Sequence, residues 1–251
     1  MTNTNTGRLV ILAGPSCVGK SPLDRALKRF YPKLRNAMEF VVLYNSREIR
    51  PGEVDGIDYF FREREFIESL TTNDRYMVMD VRGDLQALDL EEVSNKLVTA
   101  DLFFEGNPFV GKTLLTHPAL KKVEKLSAFM SPLSREEILY LKAPGRNINL
   151  QDMITDIMRR KLLRRTRRQK TELSLKDFEN IERRASSAYL ELREAHNFEY
   201  VIPNHDGEDS ENWDAFYFPI GDARKALNAF VSILKGEITS WIEHWEPGLI
   251  P

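Results

Sequence analysis

Gly14-Pro15-Ser16-Cys17-Val18-Gly19-Lys20-Ser21 lies between the apolar run Arg8–Ala13 and the segment Leu23–Phe30, whose apolar residues recur at helical spacing. The octet fits G-x-x-x-x-G-K-[ST]. Its glycines permit a tight turn whose N–H groups converge on an anion. Its lysine neutralises β- and γ-phosphates, and its hydroxyl ligates Mg²⁺. A short apolar run before such a loop reads as a buried parallel strand. The helix after it aims its N-terminal dipole at the same anion. Pro22 is compatible with a first helical turn, where no intrahelical N–H is needed. Strand–loop–helix with this octet therefore predicts an α/β fold that binds a nucleotide or another phosphate. Within it Gly14, Pro15, Ser16, Cys17, Val18, Gly19, Lys20 and Ser21 form the phosphate-binding loop. Lys20 is expected to be an exposed loop cation with no core role.

The rest of the chain extends that pattern. Strands are expected at Leu9–Ala13, Glu39–Leu43, Leu97–Phe104, Lys125–Met130 and Glu199–Ile202. Helices are expected at Leu23–Phe30, Glu63–Leu70, Ala87–Lys96, Thr113–Val123, Arg135–Leu141, around Asp177–Ala195, and at Ala223–Trp245. Strands alternating with helices imply a parallel sheet covered on both faces. The turn-rich Pro51–Gly56, followed by the β-prone Ile57–Phe61, suggests a small lobe inserted after the second core strand. Gly207–Asp214 reads as a polar, acidic loop.

With 251 residues and 42% hydrophobic content the chain can bury one large core or a core with small lobes. A net charge of −2 does not make the whole protein a polyanion binder. The single cysteine, Cys17, excludes an internal disulfide and suits a reducing cytoplasm. Met1–Thr6 is polar, with no signal-peptide core, and no apolar run is long enough to span a membrane. The densest charge runs from Arg159 to Lys170. Three readings stay open for it: a solvated face, a nucleic-acid surface, and a lid whose cations neutralise charge during phosphoryl transfer. The lid fits the phosphate-binding loop best.

Three blocks resemble the guanylate kinase family. The first is Gly7–Ser16 with Val18-Gly19-Lys20-Ser21. The second, Ser46-Arg47-Glu48-Ile49-Arg50-Pro51-Gly52-Glu53-Val54-Asp55-Gly56-Ile57-Asp58-Tyr59, is similar to the family's two-arginine, Gly-Glu, Gly-x-Asp-Tyr signature. The third is Ile181-Glu182-Arg183-Arg184, Glu191, and Phe198 through Asn204. The resemblance frames most of residues 7–235.

It implies a P-loop nucleoside-monophosphate-kinase-like parallel sheet flanked by helices, with an inserted acceptor-binding lobe and a lid. The implied divisions are a core at 7–42 and 96–235, the lobe at 43–95, a lid region at 145–183 and a tail at 236–251. It implies ATP with Mg²⁺ and a phosphate-bearing acceptor, which is GMP, another nucleoside monophosphate or a sugar phosphate. The partners are nucleotides, with neither membrane nor nucleic acid. Arg47, Arg50 and Tyr59 grip the acceptor phosphate, with Glu53 organising them. Arg184 and one or more of Arg164, Arg165, Arg167 and Arg168 meet the transferred group; Lys20, Arg184, Arg164 and Arg168 are the catalytic candidates. Asn204 lines the adenine. Ser21 and Glu105 hold the metal.

The departures sit in the base-reading region. Leu43 falls where the family places a guanine-binding serine, and Val78 where it places a glutamate. Arg82–Ala87 replaces a Tyr-Gly-Thr-like segment, and Asp80, Arg82, Asp84 and Gln86 are the polar residues there that can substitute. A binding module that has lost catalysis is the rival reading, and the intact Lys20-Ser21 pair argues against it.

Overall fold

Leu9–Ala13 is a fully buried strand, β1, in the computed structural model, which describes residues 7–50 and 52–251. Met1–Thr6 and Pro51 of the turn-rich segment lie outside the described residues. After β1 the chain runs through α1 (Lys20–Phe30), α2 (Pro32–Arg35), β2 (Met38–Phe40), β3 (Tyr44–Asn45) and β4 (Phe60–Phe61). It continues through α3 (Arg64–Ser69), β5 (Tyr76–Val81), β6 (Asp84–Asp89), α4 (Leu90–Lys96), β7 (Asp101–Gly106) and α5 (Pro108–Thr116). The last elements are β8 (Lys125–Ser131), α6 (Arg135–Leu141), α7 (Leu150–Gln169), α8 (Leu175–Arg193), β9 (Tyr200–Pro203) and α9 (Gly221–Lys235). Among the described residues no helix is long and apolar enough to cross a membrane.

The core sheet has the order β2-β7-β1-β8-β9, with β2 parallel to β7 and β8 parallel to β9. The helical connections between its strands are those a parallel sheet requires. The described chain divides into two compact units. One comprises the residues up to Ile11 with Ala37–Phe104 and Phe109–Lys125; the other comprises Leu12–Asn36, Glu105–Pro108 and Leu126–Pro251.

The first unit carries a second sheet of order β4-β3-β6-β5, in which β5 and β6 form an antiparallel hairpin. One of its faces collects Tyr44 against the rings of Phe60, Phe66 and Tyr76 at 5.1, 6.0 and 6.1 Å. The buried Ile67 of α3 belongs to the same unit. On the opposite face the register aligns Phe61, Asn45, Gln86 and Met79 in one row across the four strands.

In the second unit Leu23 and Leu27 of α1, Phe129 of β8, Val201 of β9 and Phe230 of α9 are all buried. Helix starts there follow side-chain caps. Ser134 opens α6 with a capping box to Glu137, and Ser174 opens α8 with one to Asp177.

Several expected elements are corrected. Of the strand expected at Glu39–Leu43 only residues 39 and 40 are strand, within β2; residues 41–43 are not, and β3 after them belongs to a different sheet. Strand structure expected from Leu97 begins at Asp101, because residues 97–100 close α4. The helix expected from Ala87 starts at Leu90; residues 84–89 are β6, and the Asp89 carboxylate caps the helix by accepting from Glu91 N and Glu92 N. The helix expected over Thr113–Val123 runs instead from Pro108 to Thr116. The closing helix ends at Lys235, because Gly236 adopts a left-handed φ of +73°.

Candidate active site

The phosphate-binding loop is built within the second unit. Its backbone turns left-handed at Gly14, Cys17 and Gly19, with φ of +155°, +68° and +108°. Helix α1 then starts at Lys20. Expected as an exposed cation, Lys20 is instead 7% exposed and donates to Gly14 O at 2.8 Å and Pro15 O at 2.9 Å. The loop wraps the ammonium with its own carbonyls and so buries the aliphatic stem.

Ser21 Oγ donates to Glu105 Oε1 at 2.7 Å, with Glu105 at the end of β7. Burial pushes the Glu105 carboxyl up to about 7; Lys20 and the Ser21 hydrogen bond act against it, while Asp24 and Glu208 add to it. A buried carboxylate beside a hydroxyl, both with oxygen lone pairs, suits a hard divalent cation whose charge offsets that burial. Among the described residues no cluster of three or more His, Cys, Asp or Glu forms a closed cage. This donor set therefore fits Mg²⁺ held partly by phosphate and water.

Arg184, on α8, donates through Nε to Ser16 Oγ at 3.0 Å, which brings a residue 168 positions away onto the loop. Asn204, expected beside the adenine, is placed by the structure against the phosphate-binding loop. It is fully buried, and its amide donates to Val18 O at 2.8 Å and Asp206 O at 2.7 Å. Asn204 thus braces the loop, its hydrogen-bonding capacity spent on backbone.

The basic run lies on α7 and is ion-paired. Arg164 reaches Asp209 at 2.6 Å, Arg165 reaches Glu208 at 2.7 Å, and Arg168 reaches Glu211 at 3.3 Å. Lys161 donates to His205 O at 2.5 Å. Burial alone would raise the Glu208 carboxyl, but Arg165, Lys20 and Arg184 hold it below the usual range. Glu208 and Asp209 escaped the sequence reading, where they belonged to an ordinary polar loop. The available signal was three acids at 208–211 answering the cations of 161–168. The segment is packed tightly: a Cβ on Gly207 would lie 2.1 Å from Cys17 O. Burial pushes the Cys17 thiol up to about 12, with Glu208 adding to the effect.

His205 joins the same turn. Its ring pairs with Asp222 at 2.5 Å and Glu137 at 2.9 Å. Burial lowers its pKa, but the Asp222 hydrogen bond and the Glu137 charge outweigh it, so the net direction is up. A raised histidine contributes stability that is fully present below its unfolded value of about 6.5 and is lost as pH rises through the folded value. Wild type should therefore exceed a His205→Gln variant in Tm by more at about pH 6 than at about pH 9. A gap that is constant across this range would remove the ion-pair role. The ring is half exposed, so the difference should be modest.

The acceptor candidates assemble within the first unit. Arg47 forms a fork with Glu53, both N–O distances being 2.6 Å, and Glu53 also accepts from Arg50 N at 2.9 Å. The Arg47 guanidinium lies over the rings of Tyr59 and Phe61 at 5.1 and 5.2 Å. Burial would raise the Glu53 carboxyl, but hydrogen bonds from Arg47 and Arg50 N bring it below the usual range. An ionised Glu53 thus fixes the guanidinium plane, as bidentate phosphate binding requires. Glu53→Gln should raise KM for the acceptor about tenfold, or about 1.4 kcal/mol, with a smaller effect on kcat. An unchanged KM would show that Glu53 does not organise the grip. Leu43 is buried and Val78 half-buried, and neither side chain can hydrogen-bond a base.

Comparison with known proteins finds guanylate kinases among the relatives of the chain. Residues 6–95 match the family profile described as guanylate kinase. A guanylate kinase of Corynebacterium jeikeium is 30% identical over 210 residues, covering 80% of this chain and 90% of the relative. One from Corynebacterium diphtheriae is 31% identical over 206 residues, covering 80% and 89%. The crystal structure of guanylate kinase from Anaplasma phagocytophilum superposes with a TM-score of 0.52 over 94% of this chain and 89% of that one. At 18% identity that likeness speaks to the fold alone.

Proposed function

The chain belongs to the guanylate kinase family of nucleotide kinases, and from that premise we propose that it moves the γ-phosphate of ATP onto the phosphate of a nucleoside monophosphate. An acceptor phosphate oxygen attacks the γ-phosphorus, the bond to the β,γ-bridging oxygen breaks, and ADP leaves with that electron pair. No group on the protein is covalently altered.

The observation that carries this reading is the loop itself: Lys20 wrapped by it, Ser21 on Glu105, and Arg184 on Ser16. Lys20 and Arg184 neutralise charge on the donor phosphates, and Arg164 and Arg168 are the further cations of α7 proposed to act on the transferred group. Ser21 and Glu105 would hold Mg²⁺, which supplies charge neutralisation across the phosphates when bound. Arg47, Arg50 and Tyr59, with Glu53, take the acceptor phosphate. Chemistry of this kind needs positioning and electrostatics from the protein, and these residues supply both.

The acceptor's base is the open term. With Leu43 and Val78 in place of hydrogen-bonding residues, guanine loses its two expected partners, each worth about 1–3 kcal/mol in a buried pocket. GMP is therefore expected to be discriminated only weakly from AMP, UMP and CMP in kcat/KM. A preference for GMP of about a hundredfold or more would mean that another residue reads guanine. A sugar-phosphate acceptor belongs in the same panel, and ATP turnover with none of these acceptors would favour a binding module. A cytoplasmic location is proposed on the free Cys17. Nucleic-acid binding through α7 is disfavoured by the pairing of Arg164, Arg165 and Arg168 with acids of the same chain. The matching readout is weak, salt-insensitive retention on a polyanion column.

A further inference from the structure

We propose that Gln86 is the residue that reads the acceptor's base, and that its carboxamide accepts several nucleobases where a carboxylate would select guanine; this rests on the nucleotide-kinase reading above. Four polar residues stand in the divergent region, and the structure separates them. Asp80 is spent on its own turn, accepting from Gly83 N at 2.7 Å. Arg82 has a left-handed φ of +60° and, with Asp84, flanks Gly83 at the hairpin tip. Gln86 is different. It lies inside β6, is 8% exposed, and its side-chain amide makes no hydrogen bond among the described residues. The little exposure it keeps leaves the carboxamide open to a partner from outside the chain. A carboxamide so placed costs stability unless something pairs with it.

Position supplies the partner. Gln86 shares a sheet face and a register row with Asn45 and Phe61. Asn45 is buried, and its Oδ1 accepts from Arg47 N at 3.2 Å. Phe61 lies under the Arg47 guanidinium at 5.2 Å. The row thus begins at the phosphate grip and reaches Gln86 two strands away, about 10 Å at the usual strand spacing. That separation matches the span from phosphate to base edge in a nucleoside monophosphate. On the same row and face Met79, Met77 and Leu88 are apolar, the Asn45 carbonyl is taken by Arg47 N and Asp84 sits at the hairpin tip, so Gln86 is the polar side chain we assign to the base edge.

The chemistry sets the specificity. A carboxamide offers one acceptor and two donors, and the Watson–Crick edge of each common base presents a neighbouring donor–acceptor pair. A carboxylate accepts only, and the adjacent N1–H and N2–H₂ of guanine suit it.

The test compares wild type, Gln86→Leu, Gln86→Glu and Arg47→Gln with GMP, AMP, UMP, CMP and ribose 5-phosphate as acceptors, each variant checked for a wild-type melting profile. Gln86→Leu should raise KM about tenfold for every nucleotide, with kcat changed less and ribose 5-phosphate unaffected. Gln86→Glu should raise the GMP-to-AMP ratio of kcat/KM at least tenfold, which a purely structural role would not do. Should Gln86→Leu fail to fold, the Gln86→Glu ratio decides alone. Wild-type constants in Gln86→Leu, or an unmoved ratio in Gln86→Glu, would overturn the proposal. Loss of acceptor use in Arg47→Gln alongside either result confines the failure to Gln86. Wild-type behaviour of Arg47→Gln, or ribose 5-phosphate used as well as nucleotides by wild type, would instead sink the nucleotide-acceptor reading and this proposal with it.

Discussion

Lys20→Ala is expected to lower kcat by on the order of a hundred- to a thousandfold, the range for removing one donor aimed at developing charge. The ammonium is held by Gly14 O and Pro15 O, so it stands preset in the loop before phosphate arrives and little reorganisation opposes its use. Because the side chain is buried, the variant also loses some packing, and a fall of a few degrees in melting temperature should accompany the rate loss. Lys20→Met keeps most of the stem and separates the two effects: its stability should return towards wild type while its rate stays low. Near-normal turnover in both variants would remove Lys20 from the chemistry.

Gly19→Ala should do its damage earlier, in the fold. At φ +108° a side chain is strained, and a Cβ would meet Asn204 Nδ2 at 2.6 Å, Asp206 O at 2.9 Å and the Trp213 ring at 3.1 Å. Asn204 cannot yield freely, since its amide holds Val18 O and Asp206 O. Strain and overpacking together should cost about 3 kcal/mol or more. In a chain of this size that corresponds to a drop in Tm of roughly 6–12 °C. ATP affinity should fall with it, because the same brace shapes the loop. A Gly19→Ala variant that melts and binds ATP like wild type would mean that the loop relaxes more easily than its contacts imply.

What the chain's letters disclosed follows from the range of the interactions involved. The phosphate-binding loop was readable because each residue answers a local stereochemical demand within eight positions. The Arg47–Glu53 grip was readable for the same reason, since its pair spans six residues. The β5–β6 hairpin was not. Met77, Val78 and Met79 form an unbroken apolar run without the alternation of a half-buried strand, and the turn is made by Arg82 in a conformation usually left to glycine or asparagine. The Asp89 cap and the Gly236 stop were visible signals that periodicity overrode. Glu208 and Asp209 escaped for another reason. Their partners Arg165 and Arg164 lie 43 and 45 residues away, and charge alone does not say which acid meets which base. Lys20 was misplaced because motif reading assigns a lysine its ligand but not its burial.

Cys17 has a consequence for how the protein can be watched. It is the chain's only thiol, wholly buried and deprotonating only near 12, with its carbonyl against the turn at Gly207. A thiol-directed reagent can reach it only when the structure around the loop opens, so the native chain carries its own clock for that opening. Alkylation followed by mass spectrometry should run slowly in free protein and slower still with ATP present, at a rate set by the fraction of time the loop stands open.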